Sequence, residues 1–190
     1  MSRVFFNVVL AVALLVLYAG ARADFQDGME AYTNGNYLYA FDEFRTLALG
    51  GDASAQYRLA VMYEKGQGVP HDDVQAVSWY IKAAVQDDAR AQFALAEMYA
   101  KGKGVAQNDK QAAMWYLEAA DHGFPKAQHT VGLMYAKGQS VAQDFVQAYK
   151  WLSLAGDIAV NSKTWLEEKM TQEQIKKAQI LVQEWQSKFK

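Results

Sequence analysis

Cysteine is absent from this chain of 190 residues. Without thiols, the protein has no disulfide bonds, no thiolate metal ligands and no cysteine nucleophile. The fold must therefore be held by its apolar core, and 52% of the residues are hydrophobic.

An excess of positive charge is also absent, since 19 basic residues face 21 acidic ones. Nucleic-acid binding requires clustered lysine and arginine to neutralise phosphates, and binding to an anionic membrane surface requires a basic stripe. The composition favours neither nucleic acid nor a membrane surface as a partner.

The N-terminus has the three parts of a secretory signal peptide. A positive start at 1–3 precedes an apolar run at 4–18, broken only by Asn7, and small residues flank Arg22 at 21–23. The run is shorter than the roughly 20 residues of a membrane-spanning helix. We predict a signal peptide over 1–23, a periplasmic or secreted protein of net charge −4 and no membrane insertion after cleavage. The alternative is an uncleaved N-terminal anchor.

A 36-residue repeat dominates the rest of the sequence. Residues 55–90 and 91–126 match at 17 of 36 positions without gaps, and 127–160 follows the same pattern. Alanine, tyrosine, glycine, valine and tryptophan recur in fixed columns, headed in the first repeat by Ala55, Tyr63, Gly66, Val69, Ala76 and Trp79. A fixed period of this length indicates a repeat architecture.

Each repeat predicts a two-helix hairpin. Ala55, Leu59, Met62 and Tyr63 share one helical face, and a second such face follows from Ala76. Gly66 lies where the first helix must end in a left-handed conformation, with Val69 folding back over that end. An Asp or Asn then precedes the second helix as its N-cap, at Asp72, Asn108 and Asp144.

One hairpin cannot bury its own apolar face, so the hairpins must stack into a solenoid. The alanine columns let helices approach closely, and the tryptophan column is expected to fill the space between layers. Ser140 and Gly156 depart from the pattern in the third repeat, where the column otherwise has glycine and alanine.

The pattern A-x-x-x-[LV]-[AG]-x-x-Y-x-x-G-x-G-V-x-x-[DN]-x-x-x-A-x-x-W-x-x-x-A-A resembles the Sel1-like repeat, a relative of the tetratricopeptide repeat. The resemblance implies an all-α fold, a right-handed α-solenoid of stacked two-helix hairpins. Residues 24–51 resemble a tetratricopeptide hairpin. At 161–190 we predict capping helices. A capping box at Thr171 begins the last of them. One face of this helix carries Ile175, Ala178, Leu181, Val182, Trp185 and Phe189, and Ile180 lies off that face.

No catalytic motif is recognisable. His71, His122 and His129 share no helical face, and the glycine turns match neither a P-loop nor a dinucleotide fingerprint. We therefore predict no enzyme activity, no cofactor and no metal site.

The first helices of the repeats are the predicted partner-binding surface, because a short α-solenoid offers a curved face lined by them. The residues that point away from the core stripe and vary between repeats are Tyr57, Arg58, Val61, Phe93, Glu97, His129 and Leu133. Such a mixture suits an extended or helical peptide. The alternative is that Tyr57 and Phe93 pack against the neighbouring hairpin.

The family resemblance implies a non-catalytic adaptor that binds another protein or peptide, here in the cell envelope. A second hypothesis is a peptidoglycan- or carbohydrate-binding module, since exposed aromatic rings can stack on sugars. A third is a hydrolase, an activity proposed for cysteine-rich relatives, against which the lack of cysteine and of a nucleophile–base pair argues. Self-association through an exposed end layer is a further expectation.

Overall fold

A computed structural model describes residues 25–188, and in that range all regular structure is helical. The predicted signal peptide, residues 1–23, and Phe189 lie outside the described residues. We label the helical residues 25–33 α1. The other helices are α2 (Tyr37–Leu49), α3 (Ala53–Lys65), α4 (Asp73–Ala84), α5 (Ala89–Lys101), α6 (Asp109–Asp121), α7 (Pro125–Lys137), α8 (Phe145–Leu154), a 3₁₀ turn (Gly156–Ala159), α9 (Val160–Glu167) and α10 (Gln172–Ser187).

The chain forms two compact units, one up to Trp79 and the other from Tyr80. In the first unit α2 packs on α3. The ring of Phe44, fully buried on α2, lies 5.5 Å from that of Phe25 on α1. Residues 25–49 thus form the helical hairpin predicted at the N-terminus.

The second unit is a stack of antiparallel hairpins in which α5 packs on α6, α6 on α7 and α7 on α8. One core cluster is built from alanines with Val131, Met134 and Trp151, and the next from Tyr149, Leu152 and Leu166 with further alanines. The alanine columns are buried throughout, which confirms their predicted role in close helix packing. The all-α fold of stacked hairpins is confirmed.

The turn within each repeat has the predicted geometry. Gly66, Gly102 and Gly138 end the first helices with φ of 64°, 65° and 68°, the left-handed conformation that glycine adopts most readily. Asp72, Asn108 and Asp144 each accept two backbone N–H groups of the following helix at 2.8–3.1 Å. The repeated sequence therefore ends one helix and begins the next in all three hairpins.

A second left-handed residue follows in each turn. In the first repeat it is Gly68, with φ 73°, and a Cβ there would lie 2.3 Å from the Tyr37 carbonyl oxygen. In the third repeat it is Ser140, with φ 59°. The departure from glycine thus leaves the turn conformation unchanged, but it places a side chain in a backbone region that costs roughly 1–2 kcal/mol for an L-residue.

Three buried glutamines join consecutive hairpins, a feature that the sequence analysis missed. Gln56, Gln92 and Gln128 are at most 5% exposed and are the only buried polar residues in the described range. Each donates its Nε2–H to the carbonyl eight residues earlier, at the end of the preceding helix, with distances of 3.1, 3.0 and 3.2 Å to Ala48, Ala84 and Ala120. Each carbonyl also accepts the backbone N–H three residues on, at 3.1, 3.1 and 3.0 Å, so the amide takes the second lone pair of an oxygen that packing shields from water.

The tryptophan column is less uniform than predicted. Trp79 and Trp151 are 8% and 3% exposed, whereas Trp115 is only partly buried. The expectation that all three fill the space between layers is wrong for Trp115, which lies on the more accessible part of α6.

The C-terminal helix packs as predicted. Thr171 and Gln174 form the capping box at the start of α10, and the helix lies on α8. Ala178 is fully buried and Ile175 packs against the second cluster, while Ile180 is 49% exposed. In the described range, no helix combines the length and apolarity needed to cross a membrane.

Replacing Ser140 by glycine should raise the free energy of unfolding by about 1 kcal/mol, because the left-handed strain of Ser140 is relieved. The matched substitution is Gly104→Ser, at the same column of the second repeat with φ 64°, which should lower stability by a similar amount. Chemical denaturation of both variants measures the effect. Equal stability of Ser140→Gly and the parent would contradict the strain.

Replacing Gln92 by methionine should lower stability by about 1–2 kcal/mol, since the side-chain volume is kept while a buried hydrogen bond to Ala84 and a partly buried one to His122 are lost. Gln179→Met, at an exposed position on α10, is the control and should change stability by less than about 0.5 kcal/mol. Urea denaturation of the two variants should separate them. Indistinguishable midpoints would show that the buried amide adds nothing.

Candidate partner-binding surface

In the first unit, the three predicted surface residues of α3 differ in accessibility. Tyr57 and Arg58 are partly buried, and the Arg58 guanidinium carbon lies 5.8 Å from the Tyr57 ring centroid. Val61 is 8% exposed and belongs to the core. Tyr57 and Arg58 therefore retain surface that a ligand could contact, while the main role of Val61 is packing.

In the second unit, Phe93 on α5 lies in an aromatic cluster. Its ring centroid is 5.4 Å from that of Tyr116 and 5.3 Å from that of Phe124. These contacts join α5 to α6 and to the residue before α7. Both partners belong to the same repeat as Phe93, so its binding role and its packing against the neighbouring hairpin both remain predictions.

His129 and Leu133 lie on α7 and are partly buried. The Nε2 of His129 is 3.0 Å from the Ser162 hydroxyl on α9. His129 therefore faces the C-terminal helices, as Phe93 faces the hairpin that follows it.

The side chain of Glu97 on α5 is 43% exposed, and its Oε1 lies 3.3 Å from Lys101 Nζ. It also acts on Tyr116 across the hairpin. Burial, and to a smaller extent the negative charge of Glu97, raise the pKa of Tyr116 to about 12. Tyr116 stays a neutral hydrogen-bonding phenol over the whole physiological range.

A pocket of about 280 Å³ opens beside Tyr116 and contains residues that the sequence analysis did not select. Its apolar part is made by Ala100, Ala112, Ala113 and Met134, and its polar part by Tyr116, Thr130, Asp109, Gln139 and Ser140. The pocket therefore combines a small-residue wall with hydroxyl, amide and carboxylate groups.

Departures from the repeat coincide with this pocket. Ala100 lies in the column where the first repeat has Glu64, and Thr130 lies in the column of Arg58. Ser140 lies in the column of Gly68, and Asp109 lies in the column of Tyr37. In the first unit the backbones of Gly68 and Tyr37 meet closely. Smaller side chains on α5 and α7, together with a Cβ in the turn, thus mark the place where this pocket opens.

The histidines have structural partners. Nδ1 of His71 lies 2.8 Å from the Glu64 carbonyl oxygen, and Nδ1 of His122 lies 2.8 Å from Gln92 Oε1. His129 and Ser162 form a base–hydroxyl pair that the sequence analysis missed, but His129 has no carboxylate partner among the described residues. Three-member acid–base catalysis as in serine hydrolases is therefore not assembled there. Over residues 25–188, no cluster of three or more His, Asp or Glu side chains could hold a metal ion.

Tyr116 should titrate near pH 12 in the folded protein and near pH 10 when unfolded. Its neutral form therefore adds stability that is complete below pH 10 and is lost as the pH rises through 12. The difference in phenolate absorbance between the parent and Tyr116→Phe measures this pKa. Glu97→Gln should lower the pKa of Tyr116 but leave it above 10, because burial is the larger cause. Titration of Tyr116 near pH 10 in the folded parent would contradict this effect of burial.

Comparison with protein-family models identifies one repeat family. The Sel1 repeat matches three consecutive segments, 53–88, 89–124 and 125–157. These segments begin with the first helices of the three hairpins, two residues before the repeat boundaries chosen from the sequence. A search of curated proteins finds no match.

Two solved structures are similar. A Sel1 repeat protein from Oxalobacter formigenes is 31% identical, with a TM-score of 0.68 over 73% of this chain and 57% of that one. The protein c5321, a protective antigen present in uropathogenic Escherichia coli strains and displaying an SLR fold, is 29% identical, with a TM-score of 0.51 over 87% of this chain and 45% of that one. The chain thus spans just over half the length of the first and less than half of the second.

Sel1 repeats generally serve as scaffolds for protein–protein interaction. The repeat columns, the stacked hairpins and the matched segments agree: this chain belongs to the Sel1 repeat family.

Proposed function

We propose that this protein is an exported, non-catalytic adaptor that holds a peptide segment of another cell-envelope protein in the pocket beside Tyr116. The main observation in support of this proposal is the pocket itself, which opens where the second and third repeats differ in sequence from the first. General use of Sel1 repeats as interaction scaffolds supports the adaptor role.

The chemistry of the pocket favours a peptide with one apolar side chain. The small-residue wall offers apolar area to such a side chain, and burial of a leucine or phenylalanine side chain is worth roughly 1.5–3 kcal/mol. The Tyr116, Thr130 and Ser140 hydroxyls and the Gln139 amide can bond to the peptide backbone beside it. Asp109 adds negative charge to the pocket, so a basic residue next to the apolar one is favoured.

Export rests on the sequence of the N-terminus. The positive start, apolar run and small residues at 1–23 have the layout of a signal peptide. This layout supports a periplasmic or secreted location.

Carbohydrate binding is a second candidate because of Trp165. Its side chain is 42% exposed on α9, with Lys169 Nζ 5.1 Å from the ring centroid. An exposed indole offers a face on which a sugar ring can stack. Retention of the protein on insoluble cell wall, lost in Trp165→Ala, would favour this function.

A crosslinking pull-down from envelope extract, with residues 24–190 as bait, tests the adaptor proposal. Ala100→Glu and Thr130→Arg should each reduce capture of the partner at least tenfold, because they place long charged side chains in the pocket. Both introduce the residue that the first repeat has in the same column, so the hairpin tolerates them.

The matched control is Lys103→Gln, because Lys103 does not line the pocket. The change introduces the glutamine that the other two repeats have in this column, and it should leave capture unchanged. Thermal melting of each variant checks the fold. Undiminished capture by folded Ala100→Glu and Thr130→Arg would place the partner elsewhere on the surface.

A further inference from the structure

A second pocket lies at the end of the third repeat, where large residues of the earlier repeats are replaced by small ones. Leu152 stands in the column of Tyr80 and Tyr116, and Ser153 stands in that of Ile81 and Leu117. Gly156, with φ 68°, replaces an alanine, and α8 ends at Leu154. These changes coincide with a pocket of about 450 Å³ among α8, the 3₁₀ turn and α9.

The inner wall of this pocket is apolar with one buried hydroxyl. Leu152 and Ala159 are each 1% exposed, and Val160 continues the wall. The Oγ of Ser153 is buried and has no hydrogen-bond partner among the described residues. A serine within a helix usually bonds its own backbone or water, so a buried hydroxyl at a pocket wall has unused capacity to bond a ligand.

The charges at the rim are unbalanced. Lys163 Nζ lies 3.9 Å from Glu167 Oε1 and 5.3 Å from the Tyr149 ring centroid. The positive charge of Lys163 and the negative charge of Glu167 therefore compensate each other. Asp157 is exposed and has no ion-pair partner within residues 25–188. The rim therefore carries one uncompensated carboxylate next to an apolar wall.

We propose that this pocket is a binding site for a primary ammonium group on a short aliphatic chain. The ammonium pairs with Asp157, the methylene groups lie against Leu152 and Ala159, and Ser153 Oγ bonds an amide of the ligand. The source that fits this chemistry is the side chain of lysine, because the α-ammonium of a peptide N-terminus carries no chain of methylene groups. The site is separate from the Tyr116 pocket, which is lined by other residues.

Three small probes test the site by titration of the purified mature chain with NMR detection. Nα-acetyl-lysine amide presents only a side-chain ammonium, and alaninamide presents only an α-ammonium. Nα-acetyl-norleucine amide has nearly the same aliphatic chain as the lysine probe without the charge. Saturable binding of the lysine probe is expected, with at least tenfold weaker binding of both alaninamide, which lacks the methylene chain, and the norleucine probe, which lacks the charge.

Two substitutions locate the binding. Ser153→Leu introduces the residue of Leu117 into the pocket, and Asp157→Asn removes the carboxylate charge; each should weaken binding at least tenfold. Glu168→Gln, an exposed change on the residue after α9 that does not line the pocket, should leave it unchanged. Circular dichroism of all variants confirms that they remain folded. No saturable binding, equal binding of the norleucine probe, or full binding by folded Ser153→Leu would overturn the proposal.

Discussion

The hydrogen bond from a buried glutamine to the end of the preceding helix is the constraint on which the hairpin stack depends. Each bond spans eight residues, from Gln56, Gln92 or Gln128 back to an alanine carbonyl. Each of these carbonyls accepts one backbone N–H from the turn three residues on, and the amide takes its second lone pair, from which the stacked hairpin excludes water. The amide reaches that carbonyl only when the first helix of the next hairpin begins at one position and angle. Packing of alanines alone would fix the distance between helices far better than their register.

Much of the fold follows from the sequence because its determinants are local. A left-handed glycine, an N-cap and a capping box act within a few residues, and each was recognisable from spacing: Gly66, Asp72 and Thr171 behave as predicted. The amphipathic face of α10 was also correct, including the exposure of Ile180. The glutamine column was missed because a pattern of apolar residues treats every polar side chain as exposed. Its signal was the identity of the residue in all three repeats.

The candidate site was harder to predict because it depends on distances between helices. Phe93 and Glu97 were selected for pointing away from one helix, but α6 and the start of α7 lie on that side. Whether a residue is surface or interface is decided by the helix that packs on it, whose residues lie further along the chain. Tyr116 lies on α6, and nothing in its own helix indicates that a pocket adjoins it. The pairing of His129 with Ser162 likewise joins residues 33 positions apart.

The repeat itself offers a way to find such sites. Identical columns record what the stack requires, so a departure is tolerated only where the stack can do without the usual residue. The two pockets described above lie at such departures, at Ala100, Thr130 and Ser140 in one and at Ser153 and Gly156 in the other. In this chain of near-copies, the differences between the copies indicate where these pockets open, which the choice of a single helix face did not.

The short reach of the glutamine bond bears on how such a protein changes in evolution. Both atoms of each joint lie within nine consecutive residues, so a tandem duplication of 36 residues carries a complete joint with it. The added hairpin would meet its neighbours through contacts that the chain already makes, and no distant segment would have to change in compensation. The number of hairpins in such a protein can therefore change by whole repeats. A single tandem duplication would lengthen the surface that the stack presents.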